Sequence, residues 1–238
     1  MQSGDLKSSF VSGFFIFLGL AVLGFSIGSS IIKFKEHERT VIVKGLSEKE
    51  YPADIALWPI QFTVAGNDLA VLYESIEKNA KDITRFLEAS GFVSDEMNTS
   101  PPVITDKLAQ GYEKSKIEFR YNATQTITVY SNKIDSVRST MNKLAELGKK
   151  GIALTNDGYQ NTTEYLFTRL NEIKPSMVEE ATIKAREVAQ KFAKDSNSKL
   201  GKIKRAVQGQ FSIDERDKNN PHIKKIRVVS TIEYYLSD

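Results

Sequence analysis

The strongest constraint on the fold is an uncharged, mostly apolar stretch near the amino terminus, Ser8–Ile32, which has a lysine on each side. About 20 apolar residues are enough to cross a bilayer as a helix. We therefore predict a transmembrane anchor at residues 10–32. A short tail at 1–9 precedes it, and a juxtamembrane linker at 33–39 follows it.

Cleavage of this stretch as a signal peptide is the alternative. The tripeptide Ser26-Ile27-Gly28 has the small residues of a cleavage site. However, strongly apolar Ile31 and Ile32 follow directly, and the amino-terminal end is only weakly basic. Both features favour an uncleaved anchor.

The charges that flank the anchor bear on its orientation. Lys33, Lys35 and Arg39 follow it, whereas only Lys7 precedes it. Basic residues beside a membrane helix favour the cytoplasmic side, so this count places the carboxyl-terminal domain in the cytoplasm. The family resemblance given below implies the opposite side.

Two glycines of the anchor are the candidate site residues. Gly24 and Gly28 form a GxxxG pair, and small residues four apart let two membrane helices approach closely. Glycine is common in membrane helices for other reasons, so the pair indicates helix pairing without proving it.

The overall charge does not indicate a polyanionic partner. The 238 residues include 33 basic and 30 acidic side chains, and the two signs are intermixed. The densest basic runs, at residues 201–205 and 223–227, lack any recognised nucleic-acid motif. We expect no nucleic-acid partner.

The absence of cysteine excludes disulfides, thiolate catalysis and thiolate metal sites. The two histidines, His37 and His222, are far apart in polar surroundings, where we expect them to be solvated. A metal site needs several converging ligands, so we predict neither a metal nor a cofactor.

The first half of the soluble part alternates strands with a helix. Residues 40–46 and Tyr51–Gly66 read as strands, the second with apolar side chains at every other position. Apolar residues three or four apart from Leu69 to Leu87 predict a helix that Asn67 or Asp68 starts and Gly91 ends.

The second half continues the same pattern. Residues 117–130 alternate apolar and polar side chains, as in an antiparallel sheet that has one buried face and one solvent-exposed face. A helix is predicted from Ile134 to Gly148 or Gly151, then strands at 151–155 and 163–170. A long helix is predicted from about Pro175 to Ser198, with an apolar stripe of Met177, Ala181, Ala185, Val188, Ala189, Phe192 and Ala193.

These elements predict an α+β domain at 40–238, with helices packed on one face of antiparallel sheets. The final strand, within residues 223–236, completes it. Within the domain, Trp58 alternates with other apolar residues, which indicates a core position. Ligand stacking on this side chain is the alternative.

No pattern of residues indicates catalysis. Neither histidine lies in a sequence that is typical of a histidine activating a catalytic serine. The nucleophile-elbow motif G-x-S-x-G is also absent. Adjacent carboxylates such as Glu179-Glu180 and Asp214-Glu215 point apart on a helix or loop. We expect a protein that is not an enzyme. The alternative is a hydrolase-like enzyme with a site of dispersed carboxylates and tyrosines.

Three segments resemble a known family. Residues 40–66, residues 117–148 and the alanine-rich residues 180–209, which end in LGKIKRAVQG, are similar to the SIMPL domain, formerly domain of unknown function 541. The resemblance covers Arg39–Asp238. Where relatives carry Pro-Asp before the second strand, this chain reads Pro52-Ala53-Asp54, which puts in doubt any role for that aspartate beyond capping a turn.

The resemblance implies bacterial proteins exported from the cytoplasm, some connected with oxidative-stress defence and some assembled into rings. It supplies no catalytic residues. It implies a single-pass protein of the cytoplasmic membrane, with the carboxyl-terminal domain in the periplasm, that acts by binding or assembly.

Long alternating strands also predict self-association, because an exposed sheet edge can pair with another chain. The last strand carries three basic residues that disfavour pairing of its edge with another chain: Lys224, Lys225 and Arg227. We therefore expect a homo-oligomer whose contact lies near residues 40–66, with the anchor as a possible second contact.

Overall fold

The computed structural model describes residues 3–36, 39–111, 118–155 and 162–237. In chain order the helices and strands are α1 Ser3–Glu36, β1 Thr40–Pro52, β2 Ile55–Gly66, α2 Leu69–Ala89, β3 Met97–Thr99, β4 Val103–Asp106, β5 Tyr121–Ser131, α3 Ile134–Met141, α4 Ala145–Lys149, β6 Ala153–Thr155, β7 Glu164–Leu166, α5 Leu170–Asp195, β8 Lys199–Gln208, β9 Ser212–Glu215 and β10 Ile223–Ser237.

The chain forms two compact units, each built from separate parts of the sequence. Unit 1 comprises Met1–Glu48, Lys174–Phe211 and Arg227–Asp238, and unit 2 comprises Lys49–Ile173 and Ser212–Ile226. The sequence treats 40–238 as one α+β domain. Antiparallel sheets with helices are what the structure shows, so the predicted fold class is confirmed.

Helix α1 contains the predicted membrane segment. Within it, Gly13–Ser30 is long and apolar enough to cross a membrane, and none of this stretch is buried. An apolar helix left uncovered by its own chain is what a bilayer-spanning segment requires, because lipid solvates its side chains. The prediction of such a helix is confirmed.

Unit 1 is a helix on a sheet. Its strands run in the order β1-β10-β8. Helix α5 buries a row of side chains four residues apart, one methionine and four alanines: Met177, Ala181, Ala185, Ala189 and Ala193. Alanine at this spacing lets the helix backbone approach the sheet closely. The helix packs with Val43, Ile232 and Tyr234.

The approach is closest at Gly45 of β1. A Cβ atom on this glycine would overlap the carbonyl oxygen of Ala181 and lie 2.5 Å from the amide nitrogen of Ala185. Both are backbone atoms of α5, which cannot rotate away as the end of a side chain can. Only glycine fits this contact.

Two predictions for α5 are wrong in detail. The helix begins at Leu170, so Pro175 lies inside it and not at its start. Proline there cannot donate a hydrogen bond to the carbonyl of Asn171, four residues earlier, and its ring crowds that carbonyl. Val188 and Phe192, predicted as part of the apolar stripe, are 38% and 56% exposed. The alanine row already fills the contact with the sheet.

The start of α5 depends on a residue far away in sequence. Asp54 accepts hydrogen bonds from the backbone nitrogen and the Oγ1 of Thr168, each at 2.9 Å, and pairs with Arg169 Nε at 3.3 Å. These contacts hold the two residues before the helix. Asp54 therefore organises a turn, as its position in the sequence suggests.

Unit 2 is a sheet covered by helices on one face. The strand order is β3-β5-β2-β6, with β4 on β5 and β7 on β2. The inward side chains of β2 and β5 pack against α2, α3 and α4. The members of this core include Ala56, Trp58, Ile60, Phe62, Leu72, Ile76, Ile83, Leu87, Ile127, Val129, Val137 and Leu147. Trp58 is 3% exposed, so its predicted core position is confirmed.

Local signals set the ends of α2 as predicted. Asp68 Oδ1 accepts hydrogen bonds from the backbone nitrogens of Ala70 and Val71 at 2.8 and 3.0 Å. Gly91 follows with φ of 94°, which a glycine adopts without strain. The next predicted helix is in fact two short helices, α3 and α4.

Strand β2 lies inside its sheet. It pairs with β5 along its whole length, from Ala56↔Ser131 to Gly66↔Tyr121, and its other side carries β6 and β7. Tyr51 and Pro52 belong to β1, and the chain turns at Ala53 and Asp54. Of the described strands in the region near 40–66, β1 lies at the end of its sheet, so it offers a strand edge for self-association.

Replacement of Gly45 by alanine should destabilise unit 1. The added methyl group must push α5 away from β1, and overpacking of this kind costs about 1–3 kcal/mol of unfolding free energy. Urea unfolding of the full-length protein in detergent, followed by circular dichroism, measures the change. Gly148→Ala is the control, because no atom lies within 4 Å of its added Cβ. Equal stability of the two variants would contradict the close contact.

Candidate ligand-binding pocket

The candidate site begins at an interruption in the sheet of unit 2. On one side of β2, β7 pairs with Ile55–Leu57 and β6 pairs with residues 61–63. Among the described strands, none pairs with residues 58–60 on that side. Pro59 occupies the middle of this gap, and proline has no N–H to donate to a neighbouring strand. The gap therefore falls where the sequence least favours continuous pairing.

A cavity of about 540 Å³ opens at this gap. Its volume is within the range of about 300–1,000 Å³ that is typical of small-molecule sites. The lining residues come from β2, β6, β7, the α3–α4 region and the turn before β10: Trp58, Pro59, Ile60, Gln61, Met141, Leu144, Leu154, Thr155, Thr162, Thr163, Tyr165 and Pro221.

The inner wall of the pocket is apolar and continuous with the core. Trp58 and Ile60 are both buried core residues, and Met141, Leu144 and Leu154 pack against the same core. A ligand on this wall would contact side chains that packing already holds in place. The wall is therefore rigid before any ligand arrives, which lowers the entropic cost of binding.

The remaining lining is polar but uncharged. Thr155 Oγ1 donates a hydrogen bond to Gln61 Oε1 at 3.1 Å, and the hydroxyls of Thr63 and Thr155 lie 3.4 Å apart. Thr162 and Thr163 add two more hydroxyls. Within the described part of the chain, no lining residue carries a formal charge.

Tyr165 and His222 form an aromatic pair at one side of the pocket. Tyr165 is 7% exposed, and its ring meets that of His222 edge-on with centroids 6.0 Å apart. Burial raises the pKa of the Tyr165 phenol. Burial also lowers the pKa of His222, and the positive charges of Arg138 and Arg216 act in the same direction. Both rings are therefore neutral at neutral pH.

The partly buried His222 differs from the solvated side chain that the sequence predicts. Its carbonyl oxygen accepts a hydrogen bond from Ala53 N at 2.8 Å, which ties the segment before β10 to the turn before β2. This long-range contact is invisible in the local sequence. His37 lies outside the described residues.

The two glycines of the anchor are remote from the pocket in sequence and lie on an open helix surface. An added Cβ on Gly24 or Gly28 would meet nothing within 4 Å. No described residue of this chain therefore covers the GxxxG face, and helix pairing through it stays a prediction.

Carboxylates outside the pocket are held by cations. Arg120 hydrogen-bonds Asp106 and lowers the pKa of that carboxyl. The hydrogen bond from Arg216 lowers the pKa of Asp217 to about 2. Such groups stay ionised at neutral pH, so they serve as ion-pair partners and not as proton donors.

The sequence missed most of the pocket. Trp58 was considered both as core and as a stacking surface, and the structure gives it the core position and a place in the lining. Tyr165 and Thr155 read only as strand residues. The one local signal was Pro59 inside an otherwise regular strand pattern, since proline disfavours pairing on its N–H side.

The partly buried His222 predicts a stability that falls as the pH is lowered through about 6.5. Its pKa is below the ordinary 6.5, so the unfolded chain binds the proton more readily and unfolding is favoured as the pH falls through that value. The lowered pKa values of Asp106 and Asp217 act at lower pH. Urea unfolding followed by Trp58 fluorescence should show a smaller pH effect in His222→Gln than in the wild type. His37→Gln controls for the second histidine, and an unchanged pH effect in His222→Gln would refute the prediction.

Comparison with known proteins agrees with the resemblance noted in the sequence. No curated protein matches the chain. The family model described as SIMPL, protein of unknown function (DUF541), matches residues 41–226, which extend from β1 into β10 and include every lining residue of the pocket. A match over this much of the chain shows that the protein belongs to the SIMPL (DUF541) family.

Proposed function

We propose that this protein is a membrane-anchored, non-enzymatic binding protein whose unit 2 holds an uncharged small molecule in the pocket beside β2. The observation that carries the proposal is the pocket lining, where apolar and aromatic side chains form one wall and hydroxyl and amide groups form the other. Such a lining can bind and orient a ligand, and none of its described residues is a carboxylate or a histidine.

The ligand class follows from the charges of the lining. A charged molecule would lose its hydration on entry, and the described lining offers no opposite charge in return. A neutral molecule with an apolar body and a hydrogen-bonding group meets no such cost. Its body would rest on Trp58 and Leu154, and its polar group would face Gln61 and Thr163.

The apolar helix α1 supports tethering of this unit to a membrane. We infer that the tethered domain lies outside the cytoplasm, as the exported proteins of the family do, with a role in envelope or oxidative-stress defence. The basic residues Lys33, Lys35 and Arg39 favour the opposite orientation, so this part of the proposal needs its own test.

Neutral aromatic amides should bind the pocket more tightly than their isosteric carboxylates, by tenfold or more. Trp58 is the single tryptophan and lines the pocket, so its fluorescence reports occupancy of the full-length protein in lipid nanodiscs. Thr163→Leu removes a lining hydroxyl and should weaken binding of the amides. Thr99→Leu, at an exposed residue of β3 outside the lining, is the matched control and should not.

Equal binding of amides and carboxylates, or equal effects of the two leucine variants, would contradict the proposed ligand class. The non-enzymatic part is tested on the same preparation with ester, phosphate and glycoside substrates. A turnover that one carboxylate substitution abolishes, with the fold intact, would instead establish the hydrolase-like alternative.

A reporter enzyme that works only outside the cytoplasm tests orientation and self-association together. Fused whole to Asp238, it should be active. Split between two co-expressed copies of the chain, it should regain activity only if the copies associate. The Gly24→Leu/Gly28→Leu variant should lower the split signal and leave the whole reporter active, because larger side chains keep two helices apart.

A silent whole reporter would place the domain in the cytoplasm. A silent split reporter beside an active whole one would contradict self-association.

A further inference from the structure

The end of unit 1 that adjoins the anchor is held within a short distance of the membrane surface. Helix α1 ends at Glu36, and Arg39 already pairs with the last strand, since its carbonyl oxygen accepts a hydrogen bond from Leu236 N at 2.8 Å. Three Cα–Cα steps limit the separation of the Cα atoms of Glu36 and Arg39 to about 11 Å. The sheet therefore starts almost where the helix stops.

The length of α1 places the end of this helix just outside the lipid headgroups. The apolar window ends at Ser30, and the helix continues to Glu36, which adds about 9 Å at 1.5 Å per residue. The headgroup layer on each side of the hydrocarbon core is about 5–7 Å thick. Glu36 thus lies about 2–4 Å beyond that layer when Gly13–Ser30 spans the bilayer, and Arg39 lies at most about 11 Å farther.

Several segments meet at this place and form what we name the membrane-facing end: Arg39, residues 191–199 and residues 235–237. Ser237 pairs with Lys199 across β10 and β8. Arg39 Nη2 donates a hydrogen bond to Ser198 Oγ at 3.4 Å, and Ser198 N donates to Ala193 O at 2.8 Å. Hydrogen bonds thus tie the end of α5 and the starts of β1 and β8 together.

The membrane-facing end is basic. Its charged residues are Arg39, Lys191, Lys194 and Lys199 against the single carboxylate of Asp195, and all five are exposed. Cations near an anionic membrane surface are attracted to it over about one Debye length, roughly 8–10 Å at ordinary ionic strength. The hydrogen bonds of Arg39 with Ser198 and of Ser198 with Ala193 place Lys194 and Lys199 beside Arg39, the residue that the chain-length limit keeps close to the membrane.

An exposed aromatic side chain lies among the cations. Phe192 is 56% exposed, between Lys191 and Lys194 on the last turns of α5. An aromatic side chain flanked by lysines suits the boundary between headgroups and acyl chains, where the ring is buried and the ammonium groups meet phosphates.

We propose that the membrane-facing end docks on anionic lipid headgroups of the bilayer that holds α1, with Phe192 inserted at the headgroup level. The inference rests on the anchoring part of the proposed function. It is independent of the pocket and of its ligand.

Tryptophan at position 192 tests the docking in the full-length protein. Phe192→Trp is reconstituted in vesicles of phosphatidylcholine alone or with 30% phosphatidylglycerol, each with a headgroup-labelled quenching lipid. The wild type supplies the Trp58 background. Quenching should be at least twofold stronger with phosphatidylglycerol, and 0.5 M salt should remove the difference, because it screens surface charge. Val71→Trp, at a residue 58% exposed on α2, is the matched control and should show no lipid dependence.

Charge reversal separates docking from mere closeness to the anchor. In the Phe192→Trp background, Lys191→Glu/Lys194→Glu should return quenching to its level in phosphatidylcholine, whereas Lys78→Glu/Lys81→Glu on α2 should leave it unchanged. Quenching that ignores phosphatidylglycerol, or responds equally to both charge reversals, would refute the docking. Flotation of the same vesicles reports the anchor: a chain that fails to float overturns both proposals, and one that floats without lipid-dependent quenching overturns the docking alone.

Discussion

The ladder between β2 and β5 is the constraint on which unit 2 depends. The two strands pair residue for residue from Ala56 to Gly66, so the strand period of two places one set of side chains on the helix side along the whole length. A slip by one residue would bring Trp58 and Phe62 to the outer face and leave α2 without a surface to bury. Strands β3 and β4 extend the sheet from β5, and β6 and β7 extend it from β2.

The pocket lies where β2, which pairs with β5 on one side, has no described partner strand on its other side. Strand β7 pairs with residues 55–57 of β2 and β6 with residues 61–63, and among the described strands none covers the part around Pro59 on that side. The side chains exposed there are those that build the core, since Trp58 and Ile60 belong to both. The site is therefore an opening in the core at the sheet edge, which explains why its apolar wall is rigid and why its polar groups come from the strands that stop short.

The sequence predicts what depends on local periodicity and misses what depends on distant partners. The β5 alternation, the α2 caps and the alanine row of α5 all follow from residues within a few positions of one another. The start of α5 does not, because Asp54 holds Thr168 from 114 residues away. The pocket escapes prediction for the same reason. Tyr165 acquires its environment from β2 and His222, and nothing beside it in the sequence indicates that.

The position of Phe192 follows from the packing of unit 1. Because Gly45 leaves no space between β1 and α5, the helix lies so close to the sheet that only alanine fits along most of the contact. Val188 and Phe192 each lie one position, about 100° around the helix, before an alanine of the buried row, and these larger side chains turn to the surface. The same close packing that stabilises the unit therefore leaves an aromatic ring exposed among lysines at the carboxyl end of α5.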